Sequence, residues 1–371
     1  MLLPFRYVDR QFCLAVGLLL FVGITTLYSL SFIAKAHFSY SHFVKHCIYL
    51  VGALGVFATL LQVPINSLRK KMYWVLGLAL LLSFFTLFSD PIKGARRWIS
   101  IFGVSLQVSE VLKFAALLAF ACWGKLSIEN NALRKQVLRP LIPLAVFGGI
   151  VLVLTIVQKD LGTVVLLAVT GLLVLILAGI PKRYVFLLGV LAVLVIILLV
   201  GLEGHRQSRI TAFIDPFADP HGAGFAQLQS LMAYNNGGLF GVGWGGSLQK
   251  ESLPEVHNDF IIAIIAEEHG WLGFFFVCAL YLFIGMRMIS IGKVANKRGE
   301  LFGAFYAYLL AGLILTQVMI NVGGSTAALP SKGLTLPLLS YGGSSLWATA
   351  AMFAVLLRLD YENKLHAEEV Q

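Results

Sequence analysis

The chain has 371 residues, of which 58% are hydrophobic and 12% charged, with a mean hydropathy of +0.86. Those values exclude an ordinary soluble domain and indicate a protein that crosses a membrane many times. The net charge of +10 follows from basic residues gathered on one side of a bilayer beside anionic lipid, so membrane lipids are the expected partner and nucleic acid is not.

Ten apolar stretches of spanning length occur in order: Phe12 to Ile33, Phe43 to Val63, Met72 to Phe88, Val108 to Trp123, Leu141 to Val157, Gly162 to Ile180, Tyr184 to Leu202, Gly270 to Ile289, Leu301 to Val322 and Tyr341 to Leu357. Only helices satisfy backbone groups in lipid with an open chain, so the expected fold is all-α: a polytopic membrane protein of ten transmembrane helices, forming one domain over residues 1–371. An outer loop of about residues 204–269 separates spans seven and eight. The first stretch is too long for a signal-peptide core and no Ala-x-Ala site follows it, so it is read as a retained span.

An even number of spans puts both termini on one side. Most of the 28 Lys and Arg residues, including Arg69 to Lys71, Arg134, Lys135, Lys182, Arg183, Lys297 and Arg298, fall in short loops on that side. The positive-inside rule therefore places the termini in the cytoplasm and the long loop outside. Cys13, Cys47, Cys122 and Cys278 sit in apolar runs without pairing or metal-ligand spacing, and read as small buried hydrophobes.

Before the fourth span, DPIKGARRWISIFGVSLQVS holds Lys93, Arg96 and Arg97 outside, against the charge trend. Such a cluster suits an anionic headgroup or a diphosphate; contact with outer-leaflet phosphates, with Trp98 as an interfacial anchor, would explain it equally simply. Glu110 and Lys113 lie three apart, hence on one face of the fourth span. Ionisable residues there are either a self-neutralising pair or part of a functional site. Between spans five and six, Asp160 could cap the sixth helix or offer a carboxylate to a substrate or metal.

The long loop opens with turn signals at Asp215-Pro216 and Asp219-Pro220. Phe225, Leu228, Leu231 and Met232 then recur at helical spacing, predicting a short amphipathic helix lying in the interface. The run GLFGVGWGG that follows would let backbone amides approach a ligand, although it lacks the P-loop pattern. Glu255, His257, Asp259, Glu267, Glu268 and His269 then crowd into LPEVHNDFIIAIIAEEHG. The HxD spacing is a poor metal signature, and no metal-ligand set is assigned. FIIAIIA is apolar but too short to span, so a short or re-entrant helix should begin near Asp259, where capping by Asn258 or Asp259 is the simplest role. The last outer loop, NVGGSTAALPSKGLTLPLLSYGGSS from Asn321, is mostly turn chemistry, with Lys332 as its candidate functional residue.

In order and spacing, GARRWISIFGVSLQVSEVLK, QKDLGT, FIDPFAD, GVGWGGSLQKESLPEVHNDFIIAIIAEEHG and LPSKGLTLPLLSYGGSS resemble the SEDS family (shape, elongation, division and sporulation) over nearly the whole chain. GSLQK and KGLTLPLLSYGGSS are more similar to its division-type members than to its rod-elongation type. The resemblance implies a ten-span peptidoglycan glycosyltransferase that polymerises lipid II into β-1,4 glycan on the outer face of the bacterial cytoplasmic (inner) membrane, and, for a division-type member, at the septum.

The same resemblance implies that Asp259 is the catalytic carboxylate, acting as general base. Glu110, Lys113 and Asp160 would line the cavity beside it, with Arg96, Arg97 and Lys332 at matching motif positions. Cations would assist the diphosphate leaving group, with a divalent ion such as Mg or Mn as the candidate cofactor. The implied partners are lipid II, a class B penicillin-binding protein that crosslinks the product, and other division proteins. Val108 and Lys159 stand where the family usually has proline, and EEHG replaces EELG. A lipid II flippase and a non-catalytic division scaffold are the competing readings.

Overall fold

The computed structural model describes residues 7–31, 40–91, 95–101, 104–131, 141–201, 204–330 and 333–369. Lys93 and Lys332 lie outside the described residues. Each of the ten apolar stretches falls in a helix: α1 (Arg10–Ser31), α2 (Tyr40–Leu61), α3 (Ile65–Phe85), α4 (Val108–Asn131), α5 (Leu141–Gln158), α6 (Leu161–Leu177), α7 (Lys182–Gly201), and, after α8 (Gly204–Ile214) and α9 (Phe225–Gly237), α10 (Ile261–Lys297), α11 (Leu301–Ser325) and α12 (Gly343–Glu369). Seven of these, α1 to α4, α7, α10 and α11, are long and apolar enough to cross a membrane, and α5 and α6 are shorter apolar helices.

The all-α expectation needs one amendment. Ahead of α4, β1 (Trp98–Ile101) pairs antiparallel with β2 (Val104–Gln107), Trp98 lying opposite Gln107. The alternation in WISI and VSLQ is a strand signal that an otherwise apolar approach to a span conceals.

Burial separates the axis of the bundle from its rim. In α4 and α11, 72% of the most apolar window is buried, against 11% in α2 and α7, so α4 and α11 form the core while α2 and α7 face outward. Leu187, Leu191, Leu194 and Leu198 of α7 are all exposed, as lipid-facing positions should be. Small residues let the core helices approach closely: a side chain on Gly124 of α4 would collide with the Phe305 ring of α11, the small-residue logic of helix packing in lipid.

Polar contacts sort the helix ends into two groups. At one end the Tyr7 hydroxyl donates to Glu368, Arg287 pairs with Asp9 at 2.7 Å, the Ile65 amide donates to Glu362, and Arg298 donates to Asn363. The starts of α1 and α3 and the ends of α10 and α12 therefore meet there. At the opposite end Gln158 of α5 donates to Ser83 and Thr86 after α3, and Ser29 of α1 donates to Glu268 of α10. Every described candidate site residue lies towards this second end.

α10 is two helices joined at a break. Gly270 has φ 69 and ψ −171 inside it, a left-handed backbone that glycine adopts without penalty. The short helix expected after Asp259 is thus present as Ile261 to His269, and the spanning half continues from Trp271.

Candidate functional site

Asp259 ends the turn that leads into the short helix, two residues ahead of Ile261. The cap position of that helix is Phe260, whose side chain makes no capping hydrogen bond. Three consecutive carbonyls are instead held from outside the turn. The Tyr341 amide donates to His257 O at 2.8 Å, Ser340 Oγ to Asn258 O at 2.6 Å, and Asn321 Nδ2 to Asp259 O at 3.1 Å. Backbone that is hydrogen-bonded at successive residues has little freedom, so the Asp259 side chain leaves from a fixed base.

Two amide side chains on one face of α11 extend this arrangement. Asn321 Nδ2 also donates to Leu334 O at 2.7 Å, and Gln317, one turn earlier, donates to Thr335 O at 2.7 Å. They lay the segment after residue 332 along α11 and bring Gly333 beside the Asp259 carboxylate, where a side chain on Gly333 would come 3.4 Å from Oδ2. Asp259, Phe260, Ile320, Asn321, Gly324, Gly333 and Leu334 line a small pocket of about 10 Å³, room for one water-sized group. Sequence reading assigned Asn321 to the last outer loop; it is in α11, whose helix runs on to Ser325.

Glu110 and Lys113 join the same network from α4. Lys113 Nζ lies 2.7 Å from Glu110 Oε2, and both side chains are almost fully buried. Glu110 Oε2 receives no aligned hydrogen bond, so the contact is one of charge rather than of hydrogen-bond geometry. Lys113 also donates to Gln317 Oε1 at 3.0 Å, which places the pair one turn along α11, about 6 Å of helix rise, from the residue that holds Asp259. Its charge is matched by Glu110 in a site that desolvation would otherwise make costly.

Asp160 does cap α6: it accepts from the Thr163 amide at 3.3 Å and from Thr163 Oγ1 at 2.9 Å. It is buried, and Arg97 Nη1 lies 3.3 Å from its Oδ1. One cation of the outer cluster is therefore turned inward on a carboxylate. Arg96 is exposed, anchored by its amide to Gln158 O at 3.1 Å and by Nη1 to Leu87 O at 3.1 Å. Lys159, where the resemblance expects proline, has φ 62, a conformation closed to proline. Leu166 of α6, Ile320 of α11 and Leu334 pack together, tying the helix capped by Asp160 to the pocket wall.

Two further acids of the cluster bond elsewhere than at Asp259. Glu267 and Glu268, at the far end of the short helix, are fully buried. Glu267 accepts from Ser247 Oγ, the Leu248 amide at 3.2 Å, the Gln249 amide at 3.3 Å and Asn236 at 3.1 Å. Glu268 accepts from Ser29 at 2.6 Å, with Lys250 at 3.8 Å.

The glycine run serves this same join. The Val242 and Gly243 amides donate to Glu267 O and Glu268 O, and the Trp271 amide donates to Gly238 O across the break. A side chain on Gly241 would strike Glu268 O. The close backbone approach that these glycines permit is to α10 itself. The expected amphipathic helix is present as α9: Gln227 donates to Gly324 O, Ser230 to Ser325 O, and Tyr234 bonds Ser325, while Met232 is exposed. Its polar edge docks on the end of α11, beside the pocket.

A family model for cell cycle proteins of the FtsW/RodA/SpoVE type matches residues 9–365. Over 327 residues the chain is 38% identical to the probable peptidoglycan glycosyltransferase FtsW of Shewanella sediminis, covering 87% of this chain and 79% of that one. Over 358 residues it is 36% identical to the protein of the same name in Coxiella burnetii, with 95% and 94% covered. In fold it is similar to a chain from a peptidoglycan synthase complex that coordinates polymerization and crosslinking, with TM-score 0.79, 24% identity, and 96% and 98% coverage. The rod shape determining protein RodA of Thermus thermophilus gives TM-score 0.71, 24% identity, and 96% and 97% coverage.

Proposed function

The chain belongs to the FtsW/RodA/SpoVE family of cell cycle proteins, and from that premise we infer that it is a peptidoglycan glycosyltransferase. It polymerises lipid II into β-1,4 glycan, and its greater likeness to FtsW assigns it to the septal wall. The observation that carries this reading is a whole-chain match to relatives bearing that activity in their names, on a chain whose pocket at the end of α11 is lined by a carboxylate, Asp259.

The chemistry fits that carboxylate. A sugar hydroxyl is a weak nucleophile, and a positioned carboxylate that takes its proton as attack develops speeds the step by about 10²- to 10⁴-fold. Asp259 is the general base in this reading. The new C–O bond forms at the anomeric carbon as the bond to the diphosphate breaks, so a single displacement converts the α-linked donor to a β-linkage. The departing diphosphate needs positive charge. Among the described residues of the outer cluster Arg96 is exposed, and Lys332 is the other candidate, whereas Lys113 is already matched by Glu110 and Arg97 by Asp160. Among the described residues no three His, Cys, Asp or Glu side chains converge as a metal site. A magnesium or manganese ion would be held by the substrate diphosphate with one or two protein carboxylates, where it would offset the leaving group's charge.

In the membrane, we place all ten long helices across the bilayer. The meeting of Tyr7 with Glu368 supports both ends of the chain on one face, and the concentration of Lys and Arg there supports the cytoplasmic face of the inner membrane. The partner is a class B penicillin-binding protein, which crosslinks the strand as it is made; the similarity to a synthase complex of polymerization and crosslinking supports it. Other division proteins would bring the pair to the septum.

The test is glycan polymerisation from purified lipid II in detergent by the protein co-expressed with its class B partner, comparing wild type with Asp259→Asn. Long strands from wild type and none from the variant are expected. Activity in both would move the base elsewhere. Inactivity of both with the partner bound would favour a flippase or a scaffold.

A further inference from the structure

Taking the glycosyltransferase reading as its basis, we propose that Asn321 Oδ1 accepts a hydrogen bond from the acceptor sugar, from a hydroxyl flanking the one that Asp259 deprotonates. Asn321 is thereby a substrate-orienting residue as well as a backbone clamp.

The orientation of the Asn321 amide is fixed by chemistry. Its nitrogen lies within hydrogen-bond distance of two backbone carbonyls, Asp259 O at 3.1 Å and Leu334 O at 2.7 Å. A carbonyl can only accept, so the NH₂ group must face both, and both of its hydrogens are used. Oδ1 is left buried without a hydrogen-bond partner among the described residues. Gln317 on the same face of α11 makes the contrast: its Oε1 accepts from Lys113 and its Nε2 donates to Thr335 O. Of two neighbouring amides with the same structural task, one is satisfied at both ends and the other keeps an acceptor in reserve.

Location gives that acceptor its meaning. Asn321 lines the pocket that Asp259 also lines, and a buried acceptor without a donor is disfavoured unless something binds there. The ligand group must be a donor. The attacking hydroxyl gives its hydrogen to Asp259 and cannot serve both oxygens. In β-1,4 transfer the attacking 4-hydroxyl is flanked by the 3-hydroxyl and the 6-hydroxyl, which are the groups within reach on the same ring. A bond from either would set the rotation of the sugar before proton transfer, and orientation of this kind is a large part of rate.

The experiment pairs enzyme and substrate changes. Polymerisation by the complex with its class B partner is measured on lipid II and on analogues in which the acceptor sugar lacks the 3-hydroxyl or the 6-hydroxyl. Wild type should lose about 3- to 10-fold on one analogue, the value of a single hydrogen bond. Asn321→Leu should be slower on every substrate yet pay no additional penalty on that analogue, because the partner is already gone. Asn321→Ala is a second variant without the acceptor, in case leucine disturbs the fold.

Ser340→Ala, which releases the Asn258 carbonyl and the Leu336 amide but keeps Asn321 Oδ1, should retain the penalty. Equal analogue penalties in wild type and in the leucine or alanine variant would overturn the proposal and leave Asn321 as a clamp. So would a wild type indifferent to both analogues. A wild type that makes no polymer from lipid II itself would instead remove the reading on which the proposal rests.

Discussion

The short helix from Ile261 to His269 carries acidic residues just before its start and at its end, and the two surroundings are built oppositely. At the far end Glu267 is met by four donors: a serine, two backbone amides and an asparagine. At the near end Tyr341, Ser340 and Asn321 hold the backbone carbonyls of residues 257 to 259, and Asp259 lines a small pocket together with Asn321, whose Oδ1 has no partner among the described residues. Acidity is shared by both regions and so distinguishes nothing, whereas Glu267 is fully buried and Asp259 only half-buried. What separates them is space: Glu267 is enclosed by four donors of the protein, whereas Asp259 borders a pocket that a substrate group can enter.

That contrast is broken most directly at Asp259. Asp259→Asn should lower polymerisation by about 10²- to 10⁴-fold while the protein still folds and binds its class B partner, since asparagine keeps the size and shape of the side chain. Glu267→Ala should do the reverse. Four donors would lose their acceptor in a buried site, a change worth about 3 to 5 kcal/mol, and thermal melting should show a large loss of stability. Glu267→Gln, with one carbonyl oxygen for the same donors, should recover part of it. A stable Glu267→Ala protein with unaltered activity would show that the join at the end of the helix is not needed to hold Asp259.

The break in α10 sharpens the same comparison. At Gly270 a side chain would require a left-handed backbone and would strike Leu239 O. Gly270→Ala should therefore cost about 1 to 3 kcal/mol. Its effect on activity should follow its effect on folding, because the Asp259 end is fastened separately to α11 and to the segment around Ser340.

Much of this was legible in the sequence because spanning helices and their interruptions are one-dimensional signals. The ten apolar stretches, the helix break at EEHG, the capping by Asp160 and the pairing implied by three-residue spacing at Glu110 and Lys113 all depend on neighbours in the chain. The parts not legible depend on partners far away. The glycine run reads the same whether its backbone approaches a ligand or, as here, Glu267 O and Glu268 O. In α9 the apolar spacing predicts an amphipathic helix, but not the acceptors and hydroxyl that Gln227, Ser230 and Tyr234 find at the end of α11, and those bonds set its orientation. Asn321, beside two glycines, looked like turn chemistry because the acceptors that make it important lie 62 and 13 residues away.

At the buried Glu110 and Lys113 pair, removing one charge and removing both should differ sharply in their cost to stability. Removing one partner, as in Glu110→Leu, strands a buried ammonium and should cost about 3 to 5 kcal/mol. Replacing both, as Glu110→Leu with Lys113→Met, removes the charges together and exchanges them for apolar groups of similar volume, which is commonly neutral to within about 1 to 2 kcal/mol. The residual loss should come from Gln317 Oε1, which would no longer receive the Lys113 hydrogen bond. The double variant therefore isolates function from folding at a pair where spacing alone could not decide. If a stable double variant polymerises lipid II at the wild-type rate, the pair is a self-neutralising strut like Glu267 and its donors; if it is stable but slow, Glu110 and Lys113 belong with Asp259 on the substrate side of the comparison.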